Sequence, residues 1–256
     1  MHKEGLFLGY NAKPWYGKEQ ISTTKKYQLG CYFDDAFGRR FRYGLNGSGA
    51  LVAGDLVQSA ALGGAGTTLQ TVGIIGVVSV PSDTRIYVAA LTTAQADQLF
   101  VDGWAGFEDT SLTASYLRRI IGQGPVGTVM EHTTWVDAYI DIDEPLPVAL
   151  ALNDTVALMV NPYSGIIQVV NAAATGMVLG GVSCAVAASN YCWIQTRGPF
   201  ACHIKDGALV AGAVVQPATT VGTPTALTEL IFGQQIGIAY AAWADEATGI
   251  IFLTCE

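Results

Sequence analysis

Histidines, cysteines and paired carboxylates build most enzyme sites, and in this 256-residue sequence they are few and scattered. The histidines are His2, His132 and His203. His132 follows Glu131 just before a strand-like segment, a pattern typical of a surface position. His203 follows Cys202, the one juxtaposition that could form a nucleophile pair. Neighbouring residues of a strand point to opposite faces, so these two could not hydrogen-bond to each other in a regular strand. The cysteines Cys31, Cys184, Cys192, Cys202 and Cys255 show no CxxC spacing and no paired His/Cys pattern, which argues against zinc. Their apolar neighbours predict buried, reduced thiols. Asp137, Asp141 and Asp143 alternate along one strand face, with Glu144 next. Such carboxylates could hold Ca²⁺ or act as a glycosidase pair beside Trp135 and Tyr139. Strand rise puts Asp141 and Asp143 about 7 Å apart. We read the row as a solvated acidic face. The glycine-rich segments Asn46–Gly49 and Gly63–Thr68 match neither a phosphate loop nor a GxSxG elbow. The expectation is therefore no catalytic residue, no metal, no cofactor and no enzymatic activity.

The elements that would position these residues are strands. In Arg40-Phe41-Arg42-Tyr43 the aromatics share one face and the arginines the other. In Thr134–Asp143, Val136, Ala138, Ile140 and Ile142 form an apolar face opposite the acids. Turn signals recur at Asn46–Gly49, Pro81–Asp83, Glu108–Ser111, Asn161–Gly165 and Asp245–Gly249. One short helix is allowed, over Thr93–Phe100, with Thr93 as its cap. Regularly spaced short strands predict an all-β fold, a β-sandwich or distorted β-barrel, with an extended N-terminal arm. The predicted organisation is a basic arm over residues 1–38 and an all-β body over 39–256, divisible near 39–145 and 146–256.

Composition supports this picture. Hydrophobic residues are 50%, charged residues 13%, and glycines 30 against 9 prolines. So many glycines, with few lysines and glutamates, disfavour helices, and the apolar share excludes general disorder. The longest apolar run, Met177–Ala188, contains Gly180, Gly181 and Ser183 and is too short for the roughly 20 residues of a membrane-spanning helix. The Leu6–Leu8 patch is too short to suggest a secretory leader. Low charge without a membrane span predicts surface buried in an assembly.

Charge is unevenly spread. Residues 1–42 carry +4 and the remainder −12. A basic arm bearing Trp15, Tyr16 and Tyr27 suits docking on an acidic protein surface, whereas the acidic body would repel nucleic acid. Lys13, Trp15, Tyr16, Lys18, Lys25, Lys26, Tyr27, Arg39, Arg40 and Arg42 are the predicted contact residues.

An internal repeat links the ends of the chain. Residues 49–58 read GALVAGDLVQ and 207–216 read GALVAGAVVQ. Each is followed by an apolar hairpin pattern, Val72–Val88 and Ile236–Phe252, and a third hairpin pattern spans Val178–Ile194 with Ser189-Asn190 at its turn. Two copies do not make a solenoid. They predict strand units from distant parts of the chain lying in one sheet system. Gly54 and Gly212 occupy equivalent places and are expected at positive φ.

Several segments, in order, resemble the head decoration or cement proteins of tailed bacteriophages. They are Ser22–Gly30, Gly38–Tyr43 with Gly49–Gln58, Asp102-Gly103-Trp104, Asn161-Pro162-Tyr163 and Asn190–Pro199. The resemblance covers most of the chain beyond residue 20. It implies a non-enzymatic, mostly β protein, often trimeric, that binds the outside of a shell of major capsid protein. It implies a location on the outer capsid surface of the virion, after synthesis in the host cytoplasm, with no nucleic-acid or membrane partner. Three arms per trimer would multiply modest affinities, and binding only the mature lattice would stabilise it by mass action. The first 20 residues depart from the family pattern in length and in carrying Trp15-Tyr16. Two alternatives stay open: another phage structural part (tail, baseplate or spike), or a carbohydrate-binding or carbohydrate-active β protein using the Asp137–Glu144 region.

Overall fold

The structure, a computed structural model, describes residues 17–60, 70–75, 81–89, 99–108, 115–124, 128–129, 136–152, 154–169, 176–226 and 234–256. The possible helix over Thr93–Phe100 falls almost wholly outside them. Strands β1 (Tyr32–Asp34), β2 (Arg40–Asn46) and β3 (Leu56–Gln58) open the fold. Next come β4 (Gln70–Ile75), β5 (Arg85–Ala89), β6 (Trp104–Glu108), β7 (Ser115–Gln123), β8 (Thr128–Val129), β9 (Val136–Ile142) and β10 (Thr155–Met159). The last seven are β11 (Ser164–Gln168), β12 (Val178–Val182), β13 (Tyr191–His203), β14 (Val214–Pro217), β15 (Pro224–Ala226), β16 (Gly237–Ala239) and β17 (Thr248–Thr254). The fold is all-β, as the alternating pattern predicts.

Two compact units share the chain. Unit 1 comprises Met1–Ala61 and Pro162–Glu256, and unit 2 comprises Leu62–Asn161. The division expected near residue 145 is therefore corrected: unit 2 interrupts unit 1 between β3 and β11. Reading each domain as a contiguous stretch hid that interruption.

Unit 2 is one sheet in the order β5-β4-β10-β6-β7-β9-β8, and a further β5–β9 pairing joins six of its strands into a ring. Ile86, Val88, Phe107, Ile120, Ile140, Ile142, Val156 and Leu158 are buried, each at an alternate strand position. Ile140 and Ile142 are the apolar face foreseen for β9.

Unit 1 is a ten-stranded sheet ordered β1-β2-β11-β3-β12-β13-β17-β16-β14-β15. An additional β2–β13 pairing closes β2-β11-β3-β12-β13 into a five-strand ring. The sheet contains the same four-stranded module twice. In the first, the order is β11-β3-β12-β13; in the second, β15-β14-β16-β17, with chain order matching strand for strand. The repeated decapeptides are the leading strands of the modules, with the turns that enter them. Leu51 bridges Val186 as Leu209 bridges Trp243. Turns Val52–Asp55 and Val210–Ala213 close with backbone bonds of 3.1 and 3.0 Å. Gly54 (φ 91°) and Gly212 (φ 79°) both adopt the expected positive φ. Their amides donate to Val182 O and Ala239 O.

The equivalence extends past the detectable repeat. A shift of 57 residues carries Gly180 to Gly237, Ser189 to Glu246 and Gln195 to Phe252. Ser189 and Glu246 both turn the chain at positive φ. A Cβ on Gly180 would overlap the Gln195 carbonyl, and one on Gly237 the Phe252 carbonyl, so both sites require glycine. Arg197 pairs with Thr254, its own equivalent, so a local two-fold through the β13–β17 seam relates the modules.

The boundary expected at residue 38/39 is also corrected. Ser22 bridges Tyr191, Leu29 and Phe33 are buried, and β1 pairs with β2. Tyr27, Leu29, Cys31 and Phe33 alternate with Gln28, Gly30 and the half-exposed Tyr32, a period-two pattern overshadowed by the lysines around it. Residues 22–38 therefore belong to the folded body.

Candidate functional site: the first hairpin

The predicted contact residues converge on the β1–β2 hairpin and the segment leading into it. Lys13, Trp15 and Tyr16 lie outside the described residues. Lys25 and Lys26 are exposed, and Lys18 Nζ stands 5.8 Å from the centre of the Phe41 ring. Tyr27 is half-buried and packs edge-on against Tyr43 (5.2 Å) and tilted against Trp193 (5.3 Å), at the border of the first core.

The three arginines are held by their own chain. Alternation along β2 buries Phe41 and Tyr43 and leaves Arg40 and Arg42 half-buried on the other side. Arg40 donates to Asp34 through Nε (2.7 Å) and Nη2 (2.8 Å), and to Glu256 through Nη1 (2.7 Å). Arg42 donates to Glu256 (2.8 Å) and to Gly30 O (2.8 Å), and Thr196 Oγ1 donates to the same Glu256 carboxylate (3.0 Å). Both guanidiniums lie over the Tyr32 ring, at 4.6 and 5.4 Å. Tyr32 is half-exposed on β1, the terminal strand of its sheet. The Arg40 bond holds the Asp34 carboxyl below its usual range. Burial alone would raise the Glu256 pKa, but the bonds from Arg40 and Arg42 outweigh it and lower the value.

The hairpin turn is rigid and carries a residue that the charge-based reading missed. Asp35 Oδ1 accepts from the amides of Phe37 (2.9 Å) and Arg39 (3.0 Å), and its Oδ2 accepts from Arg39 Nε (2.7 Å). Gly38 closes the turn at φ 77°. Burial works against the ionised Asp35, yet these bonds keep its pKa lowered. Phe37 projects from the tip, 83% exposed, the most exposed large apolar side chain among the described residues. A lone Phe between Asp-Asp and Gly-Arg is the sequence signal that could have pointed to it.

The chemistry weighed elsewhere in the sequence fares as follows. Cys202 is buried and His203 exposed, on opposite faces of β13. Burial pushes the Cys192, Cys202 and Cys255 thiols up to about 12, which leaves them unreactive near neutral pH. Of the acidic row, Asp143 and Glu144 are exposed, whereas Asp141 is paired. Register places Arg85 opposite Asp141, and the two pair through bonds of 2.7 and 3.0 Å. The same guanidinium covers the Tyr139 ring at 3.9 Å. Asp143 accepts the Arg119 amide. Trp135 and the Asp137 side chain lie outside the described residues. Among the described residues, no group of three or more His, Cys, Asp or Glu could hold a metal ion. No protein family, curated protein or solved structure matches the chain.

Proposed function

We propose that the chain is a structural virion protein, a head decoration protein that binds the outside of a phage capsid and stabilises its lattice without chemistry. On this reading its partner is the major capsid protein, and it works as a homo-oligomer, a trimer by family resemblance. The observation that supports it best is the first hairpin: a rigid turn presenting Phe37, beside an exposed Tyr32 on a terminal strand and the exposed Lys25 and Lys26. An aromatic anchor on a preordered turn loses little entropy on docking, and a terminal strand offers unpaired backbone groups to a partner. The arginines, already paired, would order the hairpin rather than contact the shell. The −12 charge of residues 43–256 disfavours nucleic acid as cargo.

The test is co-sedimentation with undecorated shells. Phe37→Asp should weaken binding roughly tenfold or more, since apolar anchors at interface centres dominate affinity. Its melting temperature should not change, because the side chain touches solvent. Undiminished binding would remove the hairpin from the interface. Imaging that places the chain on a tail or baseplate would replace the decoration reading altogether.

A further inference from the structure

The repeat exposes a surface that the decoration reading does not use. Across the seam between the modules, Pro199 and Ala201 of β13 lie opposite Phe252 and Ile250 of β17. Ile238 of β16 lies opposite Phe252, and the Tyr240 amide donates to Ile250 O. These six side chains share one face, because directly paired residues of a sheet project to the same side. Ile238 is 41%, Ile250 40% and Tyr240 74% exposed. The opposite face, with Phe200, Cys202, Ala239, Ile251 and Leu253, is already buried in the second core. The open face is apolar, carries no charge at its centre and lies on strands inside the sheet order rather than at its ends.

The first module shows what such a face requires. Trp193 stands where Ile250 stands and is 1% exposed, under Tyr27 and Phe33 of the entering segment. The second module has no counterpart of that segment among the described residues.

We propose that the open face pairs with the same face of a second copy of this chain, across a two-fold axis. An uncharged centre is self-complementary, since no like charges meet there. The ends of the face are complementary. At the Arg197 end stand Arg40, Arg42 and Arg197 against Asp34 and Glu256, a net positive set. At the His203 end the exposed Asp206, Asp245 and Glu246 stand against Lys205, a net negative set. A two-fold lying in the sheet plane, perpendicular to the strands, sets the strands of the copies antiparallel. Each positive end then meets the other copy's negative end. The contact is independent of shell binding.

Native mass spectrometry and light scattering on the purified full chain, across the micromolar range, test it. The wild type should contain an even number of subunits, six where the trimer of the decoration reading also forms. Tyr240→Glu and Ile250→Glu should each halve that number while circular dichroism shows the all-β fold unchanged. Arg197→Glu should weaken association, and adding Glu246→Arg should restore it. A wild type that is a monomer or a trimer overturns the proposal, as does an even assembly that persists in both glutamate variants. An unrelated protein or a shell subunit protecting this face from hydrogen exchange, while the purified chain stays monomeric, also overturns it.

Discussion

Trp193 and Ile250 occupy equivalent places in the two modules of unit 1, one 1% and the other 40% exposed. Their backbones are set by the same devices: a leucine bridge, a glycine turn, a second positive-φ turn and a glycine under a neighbouring carbonyl. What differs is the cover. Residues 22–34 add an aromatic layer to the first module, with ring centroids 4.7–5.3 Å from Trp193. Backbone constraints thus specify the module, whereas side chains on its outer face decide whether it stays covered or remains open for association.

The sharpest way to break the comparison is to empty the covered site. Trp193→Ala should destabilise unit 1 by about 3–5 kcal/mol, the cost of a large aromatic cavity. Ile250→Ala, at the equivalent site, should stay within about 0.5 kcal/mol under dilute conditions, as exposed positions do. Urea unfolding of both variants measures the difference. Equal losses would mean that the second face is buried even in the isolated chain.

Next in size are the turns that the modules share. Gly54→Val and Gly212→Val should each cost about 1–3 kcal/mol, because a β-branched residue at positive φ is strained. Space does not decide it: a Cβ meets nothing within 4 Å at Gly212 and only ordinary contacts near 3.5 Å at Gly54. Similar losses at the two sites would confirm that conformation governs both turns. A loss at Gly54 alone would assign the effect to its neighbours Ala201 and Cys202.

A smaller effect separates the turns. Asp55 Oδ2 accepts the Val52 amide at 2.7 Å, and Ala213 stands in its place in the second copy. Asp55→Ala makes the first turn resemble the second and should cost about 0.5–1.5 kcal/mol, the net worth of one such bond. Ala213→Asp should recover a few tenths of a kcal/mol, since that turn has the same backbone geometry. Thermal melts of the two variants and their double variant check both signs.

Much of this comparison was legible in the sequence, for identifiable reasons. Positive φ at Gly54 and Gly212 followed from a glycine between apolar pairs. Strands β2 and β9 followed from strict alternation, and the hairpins β12–β13 and β16–β17 from apolar runs flanking turn residues. The full four-stranded duplication was not legible, because beyond the decapeptide the copies share geometry and little identity. Gly180 and Gly237 match, but Trp193 faces Ile250 in the alignment and Gln195 faces Phe252. The interruption by unit 2 was hidden for a related reason: nothing in composition marks residues 61/62 or 161/162. At the candidate site, charge pattern identified Arg40 and Arg42 but not their partners, since Glu256 reaches them only through tertiary packing. Phe37 was overlooked because an apolar residue in a turn carries no periodic signal.

The smallest expected effect lies in the response of unit 1 to acid. The network of Asp34, Asp35 and Glu256 with Arg39, Arg40 and Arg42 ties the β1–β2 hairpin beside the first module to Glu256, just beyond β17. The pKa values of all three carboxyls are lowered, so their stabilisation is present above the unfolded values, near 4, and is lost as pH falls through the folded values. Asp55 runs the other way. Burial raises its pKa, so its contribution is present at low pH and lost as pH rises through the folded value. In the second module Asp206 is lowered as well, by the bonds from Thr219 and Thr220, so the lowered groups outnumber the raised one and unit 1 should lose stability on acidification. Each pair is partly exposed and worth about 0–1 kcal/mol after solvent screening. Glu256→Gln removes a carboxylate that accepts from Arg40, Arg42 and Thr196. It should lower the melting temperature at neutral pH by a few degrees or less and flatten the acid limb, so that the two curves converge at low pH. Curves that stay parallel from neutral pH into acid would show that Glu256 acts by packing rather than by charge.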